Sequence, residues 1–393
     1  MPALVKGFEA ANPGTTVDVR VIDPQDDYNN TVQAAIASGH LPDVLEVDGP
    51  NMASYAYQGA LAPLDGLLGP TVRTGMLPSL VTQGTWRGHL WAVGAFDSGL
   101  AMYGDRRALA AAGVRIPQGP DDAWTAAEMS AALAALAARD PDGKVIDFGW
   151  QDLTTEFPTY AFAPLLYSAG AGLVDPGTGR ATGTLDSPAA VRALTDLRDW
   201  AAYVDPNADS KAFPDRRVAL SWVGHWKYPE YAAALGSDLA LIALPDLGLG
   251  TKSGQGSWAW AVGAGSSHRS AAASQLDWLT DDAAATAITD ANGAVPGTRA
   301  ALARSPLYGP GKPLHLFGDQ LARTCGSGPI TRECITVPRP ITPAYPTISA
   351  AFSAAVLAVV QGGDPQQALT KAAGTIDADL LANHGYTQTP AAS

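Results

Sequence analysis

An α/β architecture of two domains is the fold class this sequence predicts, on three observations. The chain has 393 residues, beyond the size at which one hydrophobic core usually keeps growing. Strand-type and helix-type patterns alternate along most of its length, the signature of sheets covered by helices on both faces. No Ser/Gly/Pro-rich linker divides it into consecutive halves, which suits two domains whose chain crosses between them more than once.

The elements follow in order. Pro2 to Glu9 reads as an amphipathic helix with Leu4, Val5 and Phe8 on one face. Thr15 to Ile22 alternates apolar and polar residues and predicts a half-buried strand. Asp26 to Ser38 predicts a helix stopped by Gly39, and Asp43 to Asp48 a strand closed by Gly49-Pro50. Thr125 with Glu128 forms a capping box ahead of the Ala/Leu run to Ala138. Ser187-Pro188 opens a helix with Val191, Leu194 and Leu197 on one face, and Asp364-Pro365 with Gln367 opens the last one. Strands are expected at Val218–Val223, Leu239–Ala243 and Trp258–Val262. There is no internal repeat of fixed period.

Composition narrows the function classes. Hydrophobic residues are 47% and charged residues 16%, with a net charge of −13 from 25 basic and 38 acidic residues. No Lys/Arg cluster interrupts that background, which argues against nucleic acid or an anionic membrane as partner. No run of apolar residues is long enough to span a bilayer. The first residues lack the basic start and apolar run of a signal peptide. Cys325 and Cys334 flank a Gly/Pro-containing stretch. Free thiols, half a metal site and a disulfide are the alternatives. The spacing is not C-x₂-C and no His cluster lies nearby, so a disulfide and an oxidising compartment is the preferred reading.

Motifs for catalysis are missing. There is no G-x-S-x-G, no H-E-x-x-H and no G-x-G-x-x-G opening a helix, and the six histidines are dispersed. Gly248 to Gly254 lacks the Gly-Lys pair of a phosphate loop and reads as a flexible surface loop. No cofactor is expected. Paired carboxylates for glycoside hydrolysis leave no spacing signature, because their geometry is set in space.

Aromatic residues are more informative. Among 10 Trp and 12 Tyr, several sit beside Gly and polar residues, as in Trp222-Val223-Gly224-His225-Trp226 and Gly254-Gln255-Gly256-Ser257-Trp258. Sugar recognition uses flat aromatic faces for the C–H side of the ring and carboxylates or amides for its hydroxyls. Trp91, Trp124, Trp200 and Trp278 lie on strand or helix faces and read as core. Trp222, Trp226 and Trp258 stand beside glycines at strand ends, where α/β folds place ligands, and read equally as cleft or core residues.

At this point the segment order resembles a family, the extracellular solute-binding proteins of carbohydrate ABC importers, the maltose-binding-like group known as solute-binding protein family 1. Phe8 to Gly14 resembles its first helix running into a strand. Gly39-His40-Leu41-Pro42-Asp43-Val44 is similar to its G-x-x-P-D-V segment. Gly88 to Gly94 followed by Leu100 to Tyr103 resembles its crossing into the second domain, with Gly94 where proline is usual and Gly104-Asp105 where Asn-Lys is common. Ala291 to Pro296 and Thr342 to Pro346 complete the order.

The resemblance implies a type II periplasmic-binding-protein-like fold with a ligand cleft between domains and hinge closure around the ligand. The domains would be residues 1–104 with 262–318, and 105–261 with 319–393. Ligand contacts would come from Asp48, Gly49 and Asn51; Phe96, Asp97 and Ser98; Glu156 and Tyr160; Gly224, His225 and Trp226; Gln255, Ser257 and Trp258; then Arg339 and Tyr345. The plainer readings are turn caps for Asp48 and Asp97, a solvated helix-start charge for Glu156, and a surface ion pair for Arg339. The expected partners are a mono- or disaccharide or an amino sugar and the permease subunits of an ABC transporter, with the chain a monomer. An extracytoplasmic lipoprotein is the expected full-length form. The family's first strand has no counterpart before Pro2, so upstream residues are expected to supply it along with an export signal. Two other readings compete: a secreted carbohydrate-active enzyme using Asp97 and Glu156 as acid and base, and a binder of glycerophosphodiester-type solutes through Arg339.

Overall fold

In the computed structural model, which describes residues 2–22, 28–207 and 209–387, helices pack around two principal sheets. In chain order the strands that position the site are β1 (Val44–Asp48), β2 (Ala92–Val93), β3 (Phe96–Asp97), β4 (Leu100–Asp105), β5 (Ile146–Asp147), β6 (Leu220–Gly224), β7 (Leu239–Ile242), β8 (Ser253–Gln255), β9 (Trp258–Val262), β10 (Val295–Pro296) and β11 (Thr336–Pro338). The first sheet has the order β1-β9-β2 and the second β5-β6-β4-β7. Two-stranded pairs β3–β10 and β8–β11 lie between.

The period-2 alternation of the strands assigns their faces. On β4, Leu100 and Met102 join one core while Ala101 and Tyr103 join another. On β9, Ala259 and Ala261 face a core with Leu45 and Val47 of β1, whereas Val262 faces the core reached by Tyr103. Each sheet is therefore buried on both faces, as the α/β reading requires. The helices Phe157–Ser168, Pro188–Ala201, Tyr345–Val360 and Pro365–Ala382 form one packed group on the second sheet. Helix Phe157–Ser168 is buried on all sides from Pro158 onward.

The local signals worked where the chemistry is local. Thr125 and Glu128 make the reciprocal capping box on helix Ala126–Ala137. The Ser187 hydroxyl accepts from Ala190 N–H, and Asp364 accepts from Gln367 N–H at 2.7 Å. The first helix spans Pro2–Ala11 with Val5 and Phe8 buried. The second spans Tyr28–Ser38, while Asp26 and Asp27 lie outside the described residues. Cys325 and Cys334 form the disulfide. Trp124, Trp200 and Trp222 are core residues, and Trp91 and Trp278 are half-buried.

Two expectations are corrected. Thr15–Ile22 contains no strand: Val21 is 80% exposed, and Val17 N–H donates to the Glu9 carboxylate rather than to a ladder. Alternation makes a strand only where a neighbour supplies partners for its backbone. Residues 248–254 are no flexible surface loop throughout. Thr251, Lys252 and Ser253 are buried, the Lys252 ammonium donates to the Leu249 carbonyl at 2.6 Å, and Ser253 begins β8. Carbonyl oxygens replace the water that an ammonium needs, which makes the burial tolerable.

The chain changes sheets twice, after β3 and before β9. The two crossings run side by side, joined by the bridge Gly99 to Gln255. The Ser253 hydroxyl ties them further, accepting from Leu100 N–H at 2.8 Å and donating to Leu100 O at 2.9 Å.

Candidate functional site

The crossings bring together polar residues that lie far apart in sequence. Asp48 ends β1, Asp97 ends β3, Glu156 starts the buried helix, and Arg339 follows β11. Strand β11 pairs in parallel with β8, so Arg339 is delivered beside Gly256 at the second crossing.

Arg339 is the centre of the cluster. Its side chain is only 8% exposed, donating to Asp48 Oδ1 at 3.1 Å and pairing with Glu156 Oε2 at 2.9 Å. The guanidinium lies 4.8 Å from the centre of the Tyr160 ring, within cation–π range. The Tyr345 hydroxyl donates to Glu156 Oε1. Both Glu156 oxygens are thus engaged. Burial pushes the Glu156 carboxyl up to about 7, with the Arg339 charge opposing and the Asp48 charge reinforcing the shift. The plainer readings of Arg339 as a surface pair and Glu156 as a solvated charge are therefore set aside. Breaking such a buried arrangement costs about 3–5 kcal/mol, because it strands uncompensated charge.

Asp97 stands next to this cluster and is fully buried. Its Oδ1 accepts from Ser98 N–H at 2.7 Å and from Gly256 N–H at 3.2 Å. Burial raises its pKa, and the Ser79 and backbone contacts oppose that rise. The Ser98 hydroxyl is 3.0 Å from the Tyr160 hydroxyl, linking Asp97's neighbour to the ring under Arg339.

Other residues position backbone. Gln83 clamps Ser257 from both sides, donating to its carbonyl at 2.7 Å and accepting from its N–H at 2.8 Å. Gly49 N–H donates to the same carbonyl at 3.1 Å. Gly256 has φ +102°, and a Cβ there would strike the Gln83 amide. The Gln255 amide oxygen accepts from the hydroxyls of Thr324 and Thr336, the latter at 2.9 Å, which holds the second crossing to β11. Asn51 donates to Asn29 at 3.2 Å.

The aromatic residues divide. Trp226 is 38% exposed and lies 6.3 Å from the Tyr160 ring. Its ring covers Gly224, where any Cβ would collide with it. Trp258 packs edge-on against Tyr28 at 5.1 Å and is half-buried. His225 is buried among Phe96, Trp226 and Phe317. Its Nδ1–H faces the Asn292 carbonyl at 3.4 Å, and burial lowers its pKa to about 4. It is a neutral wall residue.

The structure thus brings Asp48, Asp97, Ser98, Glu156, Tyr160, Arg339 and Tyr345 into one cluster, with Trp226 at its edge. Gln255, Ser257 and Asn51 hold the walls, and Trp258 and His225 pack beside them. The sequence reading missed Gln83, Pro50, Pro338 and Ile341, which line the central gap with Arg339 and Gly256. Its volume is about 10 Å³, the room of roughly one water. None of these four carries a sequence signal for a binding role, since each matters through a backbone contact or a surface; Pro50 reads only as a turn residue. Among the described residues there is no metal-ligand cluster, and no helix is long and apolar enough to cross a membrane.

No curated protein matches the chain in sequence at a significant level. Solved structures share its fold. The GacH receptor of Streptomyces glaucescens, solved unliganded and with acarbose, is 22% identical with a TM-score of 0.76, over 97% of this chain and 93% of that one. An ABC substrate-binding protein from Listeria monocytogenes in complex with cycloalternan is 20% identical with a TM-score of 0.79, covering 97% and 95%. UgpB from Mycobacterium tuberculosis in complex with glycerophosphocholine is 20% identical with a TM-score of 0.78, covering 97% and 95%. All three share the two-domain arrangement that the sequence predicted. Residues 3–308 match the family described as bacterial extracellular solute-binding protein. With that match running from the first helix through both crossings, the chain belongs to the bacterial extracellular solute-binding protein family.

Proposed function

We propose that the chain captures a carbohydrate outside the cytoplasm and delivers it to the permease of an ABC importer. The observation that carries this is the cluster at the crossings, where Asp48 at the end of the first sheet meets Arg339, which follows β11, with Glu156 just ahead of helix Phe157–Ser168, Tyr160 within it, and Trp226 exposed beside them. Carboxylates and a guanidinium suit hydroxyl groups, and Trp226 offers a flat face for a sugar ring. Similar structures bind acarbose, cycloalternan and glycerophosphocholine, which supports a polyhydroxylated solute.

The division expected from the sequence, residues 1–104 with 262–318 and 105–261 with 319–393, belongs to the same proposal, and the two side-by-side crossings lie within a few residues of its boundaries at 104 and 261. The central gap of about 10 Å³ is far smaller than a sugar, so the walls must part at these crossings to admit one. Monomeric state and lipoprotein anchoring belong to the same proposal, on family resemblance. Mechanism needs no covalent step: hydrogen bonds form, the walls close and water leaves. The secreted-enzyme reading is disfavoured by the engagement of both Glu156 oxygens.

A thermal-shift panel of mono- and disaccharides, amino sugars and glycerophosphodiesters tests the proposal. A ligand bound only by the folded state adds about 2.7 kcal/mol at a hundredfold excess over Kd. One saccharide class that shifts melting and is recovered intact supports capture. Released hydrolysis products would instead favour an enzyme, and a shift with glycerophosphodiesters alone would replace the sugar by that solute.

A further inference from the structure

We infer that the protein carries a latch between its two domains: the turn after the last helix, through Tyr386, holds Tyr57 and Arg87 of the other domain and stabilises the shut cleft. This goes beyond solute capture and rests on the two-domain reading above, under which Tyr57 and Tyr386 belong to different domains.

The two sides of the contact belong to different cores. Trp86 packs against the core that holds Leu45 and Val47 of β1, whereas Tyr386 packs against the core of the second sheet and its helices. They meet through Tyr57, the last residue of helix Met52–Tyr57. Its ring stands edge-on to Tyr386 at 5.1 Å and to Trp86 at 6.4 Å, both within the range where aromatic pairs attract. The Arg87 side chain donates to the Tyr386 carbonyl, with its guanidinium 4.5 Å from the centre of the Trp86 ring. Tyr386 is anchored on its own side as well, because its hydroxyl donates to the Asp379 carboxylate at 3.0 Å.

The backbone on both sides is strained into this meeting. Five non-glycine residues have left-handed φ among the described residues, and three of them belong here: Arg87 at +49°, His384 at +50° and Tyr386 at +56°. Such conformations persist where surrounding contacts hold them, and they gather at clamps and switches. A turn that only ended a helix would need one such residue, most often a glycine. Here His384, Gly385 and Tyr386 adopt it in succession, and the result sets the Tyr386 ring and carbonyl against the other domain. The latch is made in the conformation whose central gap is about 10 Å³. Parting the walls draws Tyr57 away from Tyr386, so the contact stabilises the shut form alone. A form stabilised before the solute arrives raises apparent affinity, because less free energy is needed for closure.

Small-angle X-ray scattering of the purified full chain without added solute tests this, with Tyr386→Asn, Tyr57→Leu and the double variant beside the parent. Asparagine tolerates the left-handed conformation while removing the ring, and leucine keeps the helix end while removing the opposing ring. Both positions are half-buried, so cooperative melting is expected to be kept. If a ring variant nevertheless loses it, Arg87→Ala, at an exposed position, gives the same comparison by removing the donation to Tyr386. The expected result is a larger radius of gyration and maximum dimension in each single variant than in the parent. The double variant should be no larger than either, since both changes remove one contact, whereas separate losses of packing within each domain would add. Variants as compact as the parent would overturn the latch, and so would a parent already as expanded as they are. Either result leaves solute capture standing, because the thermal-shift panel tests that without altering these residues.

Discussion

Replacing Arg339 by glutamine gives a pH-dependent instability whose form follows from the site. The variant keeps much of the side chain's length and removes its charge, leaving Asp48 and Glu156 buried without their cation. The cost of stranding charge in this way is about 3–5 kcal/mol. Spread over the unfolding entropy of 393 residues, that lowers Tm by about 4–6 °C if the chain melts as one unit. The loss is not constant with pH. Glu156 already sits at about 7 in the folded protein, above the roughly 4.3 of an unfolded glutamate. Between those values the folded state holds more protons than the unfolded state, so this group's stabilising contribution is complete at low pH and is lost as pH rises to about 7. Removing Arg339 raises the Glu156 pKa further, because its charge opposes the shift. The variant's deficit is therefore largest near pH 8 and shrinks toward pH 5, where Glu156 carries a proton and no longer needs the cation. Differential scanning calorimetry of both proteins from pH 5 to 8 measures this. A deficit that is flat across the range, or largest at pH 5, would refute the buried-charge account. Arg339→Lys keeps the charge without the two-sided contact and should fall between the two.

Other outcomes follow from single features. Gly224→Ala puts a methyl group where the Trp226 ring lies; ligand affinity should fall about tenfold, and tryptophan fluorescence should report the displaced ring while Tm changes little. Reducing the Cys325–Cys334 disulfide removes about 2.5–3 kcal/mol on the chain-entropy account, visible as a lower Tm in the presence of a reductant. Ligand affinity should weaken too, since Cys325 N–H bonds the Thr336 carbonyl in the strand that delivers Arg339. His225, held neutral with a pKa of about 4, takes up protons only on unfolding as pH falls from about 6.5. A His225→Phe variant should therefore gain stability relative to the parent between pH 6.5 and 4, by up to about 3 kcal/mol; a pH-independent difference would contradict that burial.

What the sequence disclosed was what short-range chemistry determines. The caps at Thr125, Ser187 and Asp364, the β1 and β9 strands, and the disulfide were readable from residue types and spacing. The site was readable only through segment order, which pointed to Asp48, Asp97, Glu156, Tyr160, Arg339 and Tyr345 without showing why they meet. Arg339 between Asp48 and Glu156 spans most of the chain, and no local pattern encodes that. Gln83 was invisible because its role is to satisfy the backbone of Ser257, which any amide in that place would do. The failed strand at Thr15–Ile22 shows the converse limit, since its alternation is correct and its partner is lacking. Lys252 failed for a related reason: a lysine among glycines reads as exposed until the carbonyls that cap it are known.

The order of strands in the first sheet has a bearing on how the chain is made. Among the described residues β1 and β2 do not pair with each other, and each pairs with β9 alone. Of the three strands described for this sheet, a nascent chain that has emerged through Asp97 holds two, with no ladder between them among the described residues. That sheet stays unassembled until Trp258 to Val262 are synthesised, so its nucleation waits on a contact of long sequence separation, which is slow to form. A long unfolded interval is a hazard for a cytoplasmic protein and an asset for one that is threaded unfolded through a narrow translocation channel and folds on the far side.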